Sequence, residues 1–197
     1  MISLKDRIVQ GETVNIDQKD VYFLGPNLTL RDCTIVIAVA GGDLILAASR
    51  FENCRIVAKK RLSGVTWHNV FFSGCSFAGT FHGCEFGHTD DADPGGGLER
   101  CDFSEATLDT CGFHNVDVAG VSFPTWPGFT VIRPGAHAAA IHAAPWPGKS
   151  KVIGEVLAEC EPEITAVSYR AREVAKRYGV SEDAIRAAVS TIPDVRL

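Results

Sequence analysis

Residues 21–123 predict a mainly β fold, a parallel β-helix of stacked coils, followed by a small α-helical unit. Three observations carry that prediction. From Leu98 to Phe123 every fifth residue is large and apolar: Leu98, Phe103, Leu108, Phe113, Val118 and Phe123. The residue two before each is small or β-branched: Gly96, Cys101, Ala106, Cys111, Val116 and Val121. A longer spacing of 21 residues relates Cys33, Cys54 and Cys75, with Gly96 on the next step and Ile35, Ile56, Phe77 and Leu98 in parallel. A helix repeats about every 3.6 residues and a strand about every 2, so neither produces a period of five.

Along the chain, Ile8, Val9, Val14 and Ile16 around Gly11 predict a short β cap over residues 1–20. A solenoid needs one, because a terminal coil exposes both its core and its backbone edges. Over 21–123 the paired signature runs through Val21/Phe23, Leu28/Leu30, Cys33/Ile35, Leu44/Leu46, Ser49/Phe51 and Cys54/Ile56. It continues as Val65/Trp67, Val70/Phe72, Cys75/Phe77, Gly79/Phe81 and Cys84/Phe86. Four such units make a square coil, and about five coils stack as strands about 4.8 Å apart. The large residue fills the interior, the small one fits beside it, and Asn53, Gly74, Gly83, Gly112 and Asn115 read as turn residues. Residues 87–97 (GHTDDADPGGG) interrupt the repeat and read as an outward loop.

Prolines crowd residues 124–150 together with Trp126 and Trp146, which predicts an irregular connector. Residues 151–197 read as helices. Ser150 caps a first one through about Cys160. Pro162 opens a second with a stripe of Ile164, Val167, Ala171, Val174, Ala175 and Tyr178, stopped by Gly179. Ser181 caps a third, ended by Pro193. These helices cap the solenoid, join two copies as a homodimer, or meet a partner.

The run CDFSE-ATLDT-CGFHN-VDVAG-VSF, Cys101 to Phe123, resembles the pentapeptide-repeat family, whose unit is a small residue, a polar one, Leu or Phe, then two variable positions. The resemblance covers about residues 21–123 and leaves out 124–197. It implies a right-handed quadrilateral β-helix. The repeated residues all point inward, so it implies a fold more than a function. Some members resemble DNA in shape and charge and bind DNA gyrase, often as dimers joined through a C-terminal helix.

Six of the seven cysteines (Cys33, Cys54, Cys75, Cys84, Cys101, Cys111) occupy the small inward position, which predicts buried apolar groups without metal or disulfide. With 46% hydrophobic and 22% charged residues the chain reads as a soluble globular protein. Lys5, Asp6 and Arg7 break any leader-like apolar run, and no stretch is long enough to span a bilayer. The expectation is a cytoplasmic protein without membrane contact. A net charge of −5 gives direct nucleic-acid binding no support.

Several motifs fail on chemistry. AAPWPGKS resembles a phosphate loop, but Pro145 and Pro147 remove the N–H groups that should hold phosphate. REVAKRYGVSEDAIRAAVS resembles a helix-turn-helix, but Glu182 and Asp183 open its reading helix and would repel DNA. Asp90, Asp91 and Asp93, with Glu85 and His88, match no complete calcium loop. His82 and His114 fall at face or turn positions and read as surface residues. No nucleophile arrangement is recognisable, so neither an enzyme nor a cofactor or metal is expected.

Charge is the most informative functional feature. Residues 80–120 carry nine acids against Arg100 alone, while Arg50, Arg55, Lys59, Lys60 and Arg61 give an earlier coil a basic edge. An acidic wall on a rigid rod attracts a basic partner and speeds its capture. The expected function is a non-catalytic protein-binding inhibitor, specifically a bacterial immunity protein against a basic toxin such as a nuclease. Its interface candidates are Asp90, Asp91, Asp93, Glu99, Asp102, Glu105 and Asp109. The alternatives are a DNA-mimicking modulator of gyrase, and an enzyme working through the 87–97 loop with Asp90, Asp91 or His88 indispensable.

Overall fold

The computed structural model describes residues 1–18, 20–88 and 95–197. The chain winds into a parallel β-solenoid of about four turns. One sheet stacks β1 (Ile2–Leu4), β4 (Tyr22–Leu24) and β7 (Leu44–Leu46). A second stacks β2 (Arg7–Gln10), β5 (Leu28–Arg31), β8 (Ser49–Glu52), β10 (Val70–Ser73) and β13 (Gly97–Glu99). The third stacks β3 (Thr13–Ile16), β6 (Thr34–Ile37), β9 (Arg55–Ser63), β11 (Ser76–His82) and β14 (Asp102–Asp109). Register follows the 21-residue spacing, with Thr34 opposite Arg55 and Arg55 opposite Ser76.

Inside, the large residues of the repeat stack into a column. The Phe77 and Phe103 rings lie 4.1 Å apart, Phe86 and Phe113 5.2 Å, and Trp67 and Phe86 6.1 Å, all face to face. Each is fully buried. Stacked aromatics of this kind add about 0.5–1.5 kcal/mol per pair beyond their burial. The six repeat cysteines are free and buried beside them. Each thiol lies 3.1–3.7 Å from the carbonyl two residues before it. Each also lies 3.2–3.7 Å from a carbonyl of the preceding coil. A small side chain with a weak donor thus fits the narrow edge of the interior and satisfies corner carbonyls.

The phase of the repeat departs from expectation at two places. At the first pair, Tyr22 and Leu24 are buried instead of Val21 and Phe23, and they lie in register with Ile2 and Leu4 of β1 and Leu44 and Leu46 of β7. After Cys75 the ladder steps 26 residues, placing Asp102 opposite Ser76. Cys101, not Gly96, therefore follows Cys75, and Phe103, not Leu98, lies over Phe77. Leu98 instead extends the second sheet, opposite Phe72, with Gly96 just before β13. The residues that add the extra step belong to the 87–97 segment, most of which (89–94) lies outside the described residues.

The N-terminal β segment continues the solenoid. Strands β1, β2 and β3 pair in parallel with β4, β5 and β6 and make the first rung. The other end is closed differently. A fourth sheet runs β12 (Glu85–Gly87), β15 (Cys111–His114), β17 (Ile164–Arg170), β16 (Gly128–Ile132) and β18 (Val195–Arg196). It is parallel between β12 and β15 and antiparallel from β15 onward. Residues 164–170, expected as the start of a helix, are therefore a strand. Ile164-Thr-Ala-Val-Ser-Tyr is β-branched and aromatic and alternates as well as it spirals. Ala166 joins the solenoid core while Tyr169 joins a second core beneath the helices, and hydrogen bonding to strands on both sides decides the matter.

The segment 124–150 is likewise more regular than a connector. It contains β16 and helix α1 (Ala138–Ala143). Helices α2 (Lys151–Ala158), α3 (Ala171–Tyr178) and α4 (Glu182–Val189) complete the unit. Gly179 ends α3 in the left-handed conformation at φ 64°, and Ser181 Oγ accepts the Ala184 N–H at the start of α4, both as expected. Ser150 does not cap α2; its hydroxyl donates to the Pro147 carbonyl. No helix among the described residues is long and apolar enough to cross a membrane.

Candidate functional site

The acidic residues of the last rungs divide into distinct environments. Glu99, at the end of β13, accepts from the Ser73 hydroxyl at 3.3 Å and pairs with Arg100. Asp102 begins β14, exposed, and its carboxylate accepts the Ser104 N–H at 2.8 Å. Glu105 is exposed further along β14 and pairs with Arg55, two strands away on β9. These three carboxylates face solvent. Asp109 does not. It is 4% exposed, held 2.9 Å from His82 Nδ1, and its second oxygen accepts the Arg170 N–H at 3.4 Å. The C-terminal unit covers it, so Asp109 ties β14 to β17 and offers nothing to a partner. Asp90, Asp91 and Asp93 lie outside the described residues.

The basic edge shares this surface. Arg50 lies 4.4 Å over the Phe71 ring. Lys59, Lys60 and Arg61 occupy a bulge in β9: Ala58 is opposite Gly79 and Leu62 opposite Phe81, so β9 has two residues more than β11. None of the three makes an ion pair among the described residues. Acid and base therefore share the same two sheets, two strands apart, and among the described residues the predicted interface acids that face solvent are Glu99, Asp102 and Glu105.

A second constellation lies where the solenoid meets the C-terminal unit. Alternation turns Phe86 and Phe113 inward, which sends Glu85 and Gly87 of β12 and Gly112 and His114 of β15 outward. Glu85 Oε2 reaches across Gly112 to His114 Nε2 at 2.7 Å. A Cβ at Gly112 would stand 2.1 Å from that carboxylate oxygen, so glycine here is the gap that admits Glu85. Gly112 is a strand residue, not the expected turn. His68, from the loop before β10, meets the His114 ring edge-on at 4.9 Å. His68 Nε2 and His88 Nδ1 are buried without a hydrogen-bond partner among the described residues. Burial, with the His114 charge beside it, lowers the His68 pKa below its ordinary 6.5. His114 is not a surface residue as expected. Its side chain is 17% exposed because β17 and α2 cover this side of the rung.

Above this cluster lies a cleft of about 210 Å³ between β15, β17 and α2. Glu85 and His114 form one side, and Val156, Cys160, Val167 and Tyr169 are among the other walls. Burial pushes the Tyr169 phenol up to about 12 and, together with the Glu85 charge, raises the Cys160 thiol. Both groups stay protonated near neutrality, which suits binding better than nucleophilic chemistry. Sequence reasoning missed this grouping, because Glu85 and His114 belong to different coils and the covering strand was read as a helix. Among the described residues no group of His, Cys, Asp and Glu has an arrangement suited to a metal ion. No protein-family profile matches this chain, and no curated protein matches it significantly.

Proposed function

We propose that this chain is a pentapeptide-repeat protein that acts without catalysis, binding and occluding a basic protein partner in the cytoplasm. Its most specific form is a bacterial immunity protein that neutralises a toxin such as a nuclease. The repeat reading is supported by Val65/Trp67, Val70/Phe72 and Cys75/Phe77, all buried at successive five-residue intervals. The binding reading is supported by the strip itself: Glu99 at the end of β13 and Asp102 and Glu105 on β14, consecutive strands on two faces of the last rung, present carboxylates to solvent. Charge fixed on a rigid scaffold raises association rates without an ordering cost.

The test begins with capture of partners from the native lysate at low and high salt, followed by reconstitution with the purified partner. The expected partner is a small basic domain whose nuclease activity is occluded at equal stoichiometry. Combining Glu99→Gln, Asp102→Asn and Glu105→Gln should slow association by about tenfold at low salt and flatten its salt dependence. Unchanged association in the triple variant would overturn the strip as the docking surface. Recovery of gyrase subunits in place of a basic toxin would favour the DNA-mimic reading.

A further inference from the structure

The cleft above Glu85 has a chemistry of its own, independent of the acidic strip. We propose that it receives an alkyl cation, a guanidinium on an aliphatic stem, with the Glu85 carboxylate as its counter-charge.

Size is the first argument. At about 210 Å³ the cleft is smaller than the roughly 300–1,000 Å³ of most small-molecule sites. It suits one long side chain or an equally small amine. Charge is the second. Glu52, Glu105 and Asp194 each pair with an arginine of this chain. Glu85 has only His114 as an ion-pair partner among the described residues, and that bond uses Oε2. That contact occupies one carboxylate oxygen, and Oε1 remains for a second donor. Position is the third. Gly112 lets Glu85 lie flat across β15, so its carboxylate sits on the side of the cleft with the side chain 38% exposed.

The remaining walls fit the rest of such a group. Val156 and Val167 line the path of an aliphatic stem, which buries its methylenes while its head reaches a charge. Tyr169 adds the edge of a mostly buried ring, stacked on Phe129, as an apolar wall beside which the weakly hydrated guanidinium is favoured over ammonium. The source of the cation is a single arginine of the basic partner, entering as an anchor side chain. That attribution rests on the proposed function, whereas the ligand chemistry does not.

The experiment titrates the full-length chain with agmatine, and separately with a capped Gly-Arg-Gly peptide, following both by NMR shifts of the cleft residues. Both should bind saturably. Glu85→Gln should weaken binding by roughly tenfold or more, whereas Glu12→Gln, the same charge change on the first rung, should not alter it. Val156→Trp, at a helix position 54% exposed, should fill the cleft mouth and block both probes with Glu85 intact. Urea midpoints of each variant separate lost binding from lost folding. Binding of agmatine without the peptide would keep the alkyl-cation chemistry and refute a partner side chain as its source. Absence of saturable agmatine binding, or equal affinity in Glu85→Gln, would overturn the site. Neither result would touch association through Glu99, Asp102 and Glu105, so the two readings fail separately.

Discussion

Replacing Gly87 by alanine tests the rung on which the cleft is built. Gly87 has φ +94°, and a Cβ there would stand 2.0 Å from the His114 carbonyl oxygen and 2.8 Å from Val116 Cγ2. The carbonyl is backbone paired within the sheet and cannot swing aside as a side chain would. Gly83, four residues earlier, is the internal control: its φ is +56°, but a Cβ there meets nothing within 4 Å. Gly83→Ala therefore carries only the left-handed penalty, about 1 kcal/mol. Gly87→Ala carries a backbone penalty of that kind or larger. It also requires β12 and β15 to part by over an ångström, with loss of ladder bonds worth about 1 kcal/mol each and disturbed packing worth about 1–3 kcal/mol. The total is about 3–5 kcal/mol. Equilibrium urea unfolding at constant m-value measures both variants. Equal destabilisation, within about 0.5 kcal/mol, would mean that the strands do not approach as closely as this geometry requires.

Two further outcomes follow from the buried titratable groups. Thiol labelling of the native protein should modify Cys160 first and slowly, and leave the six repeat cysteines untouched until unfolding, since all six are buried in the packed interior and Cys160 is only partly so; rapid native labelling of several cysteines would contradict the packed interior. Because burial and the neighbouring histidines lower the His68 pKa, the folded state binds fewer protons there than the unfolded chain. That stability is present above the ordinary value of 6.5 and is lost as pH falls through the lower folded value. His68→Gln should flatten the dependence of the urea midpoint on pH below 6.5, and an unchanged profile would remove His68 as its origin.

How much of this was legible in the sequence depends on whether a feature is local or relational. The five-residue rhythm is local, since each inward pair reports its own position relative to a corner. The buried cysteines follow from it, as do the turns at Asn53 and Gly74, both with positive φ. Gly179 and Ser181 are equally local signals. Phase between coils is relational. Gly96 and Leu98 obey the five-residue rule as well as Cys101 and Phe103 do, and only stacking tells which pair lies over Cys75 and Phe77. β17 is ambiguous for another reason: Ile164 and Val167 fit a helical stripe, while Ala166 and Ser168 alternate with Val167 and Tyr169 as a strand. Its assignment is settled by two neighbouring strands far away in sequence. The cleft inherits both ambiguities, because it needs the phase that brings Glu85 beside His114 and the strand that covers them.

The bulge at Lys59–Arg61 and the longer step from Ser76 to Asp102 have a shared consequence. Both add chain length without moving the column, since Leu62 still reaches the register of Phe81 and Phe103 still lies on Phe77. The inward pairs act as fixed stations, and the corners between them are free to lengthen. Such a scaffold separates what keeps it folded from what it displays. New surface can be inserted at a corner, of either charge, while every rung beneath it goes on stacking as before.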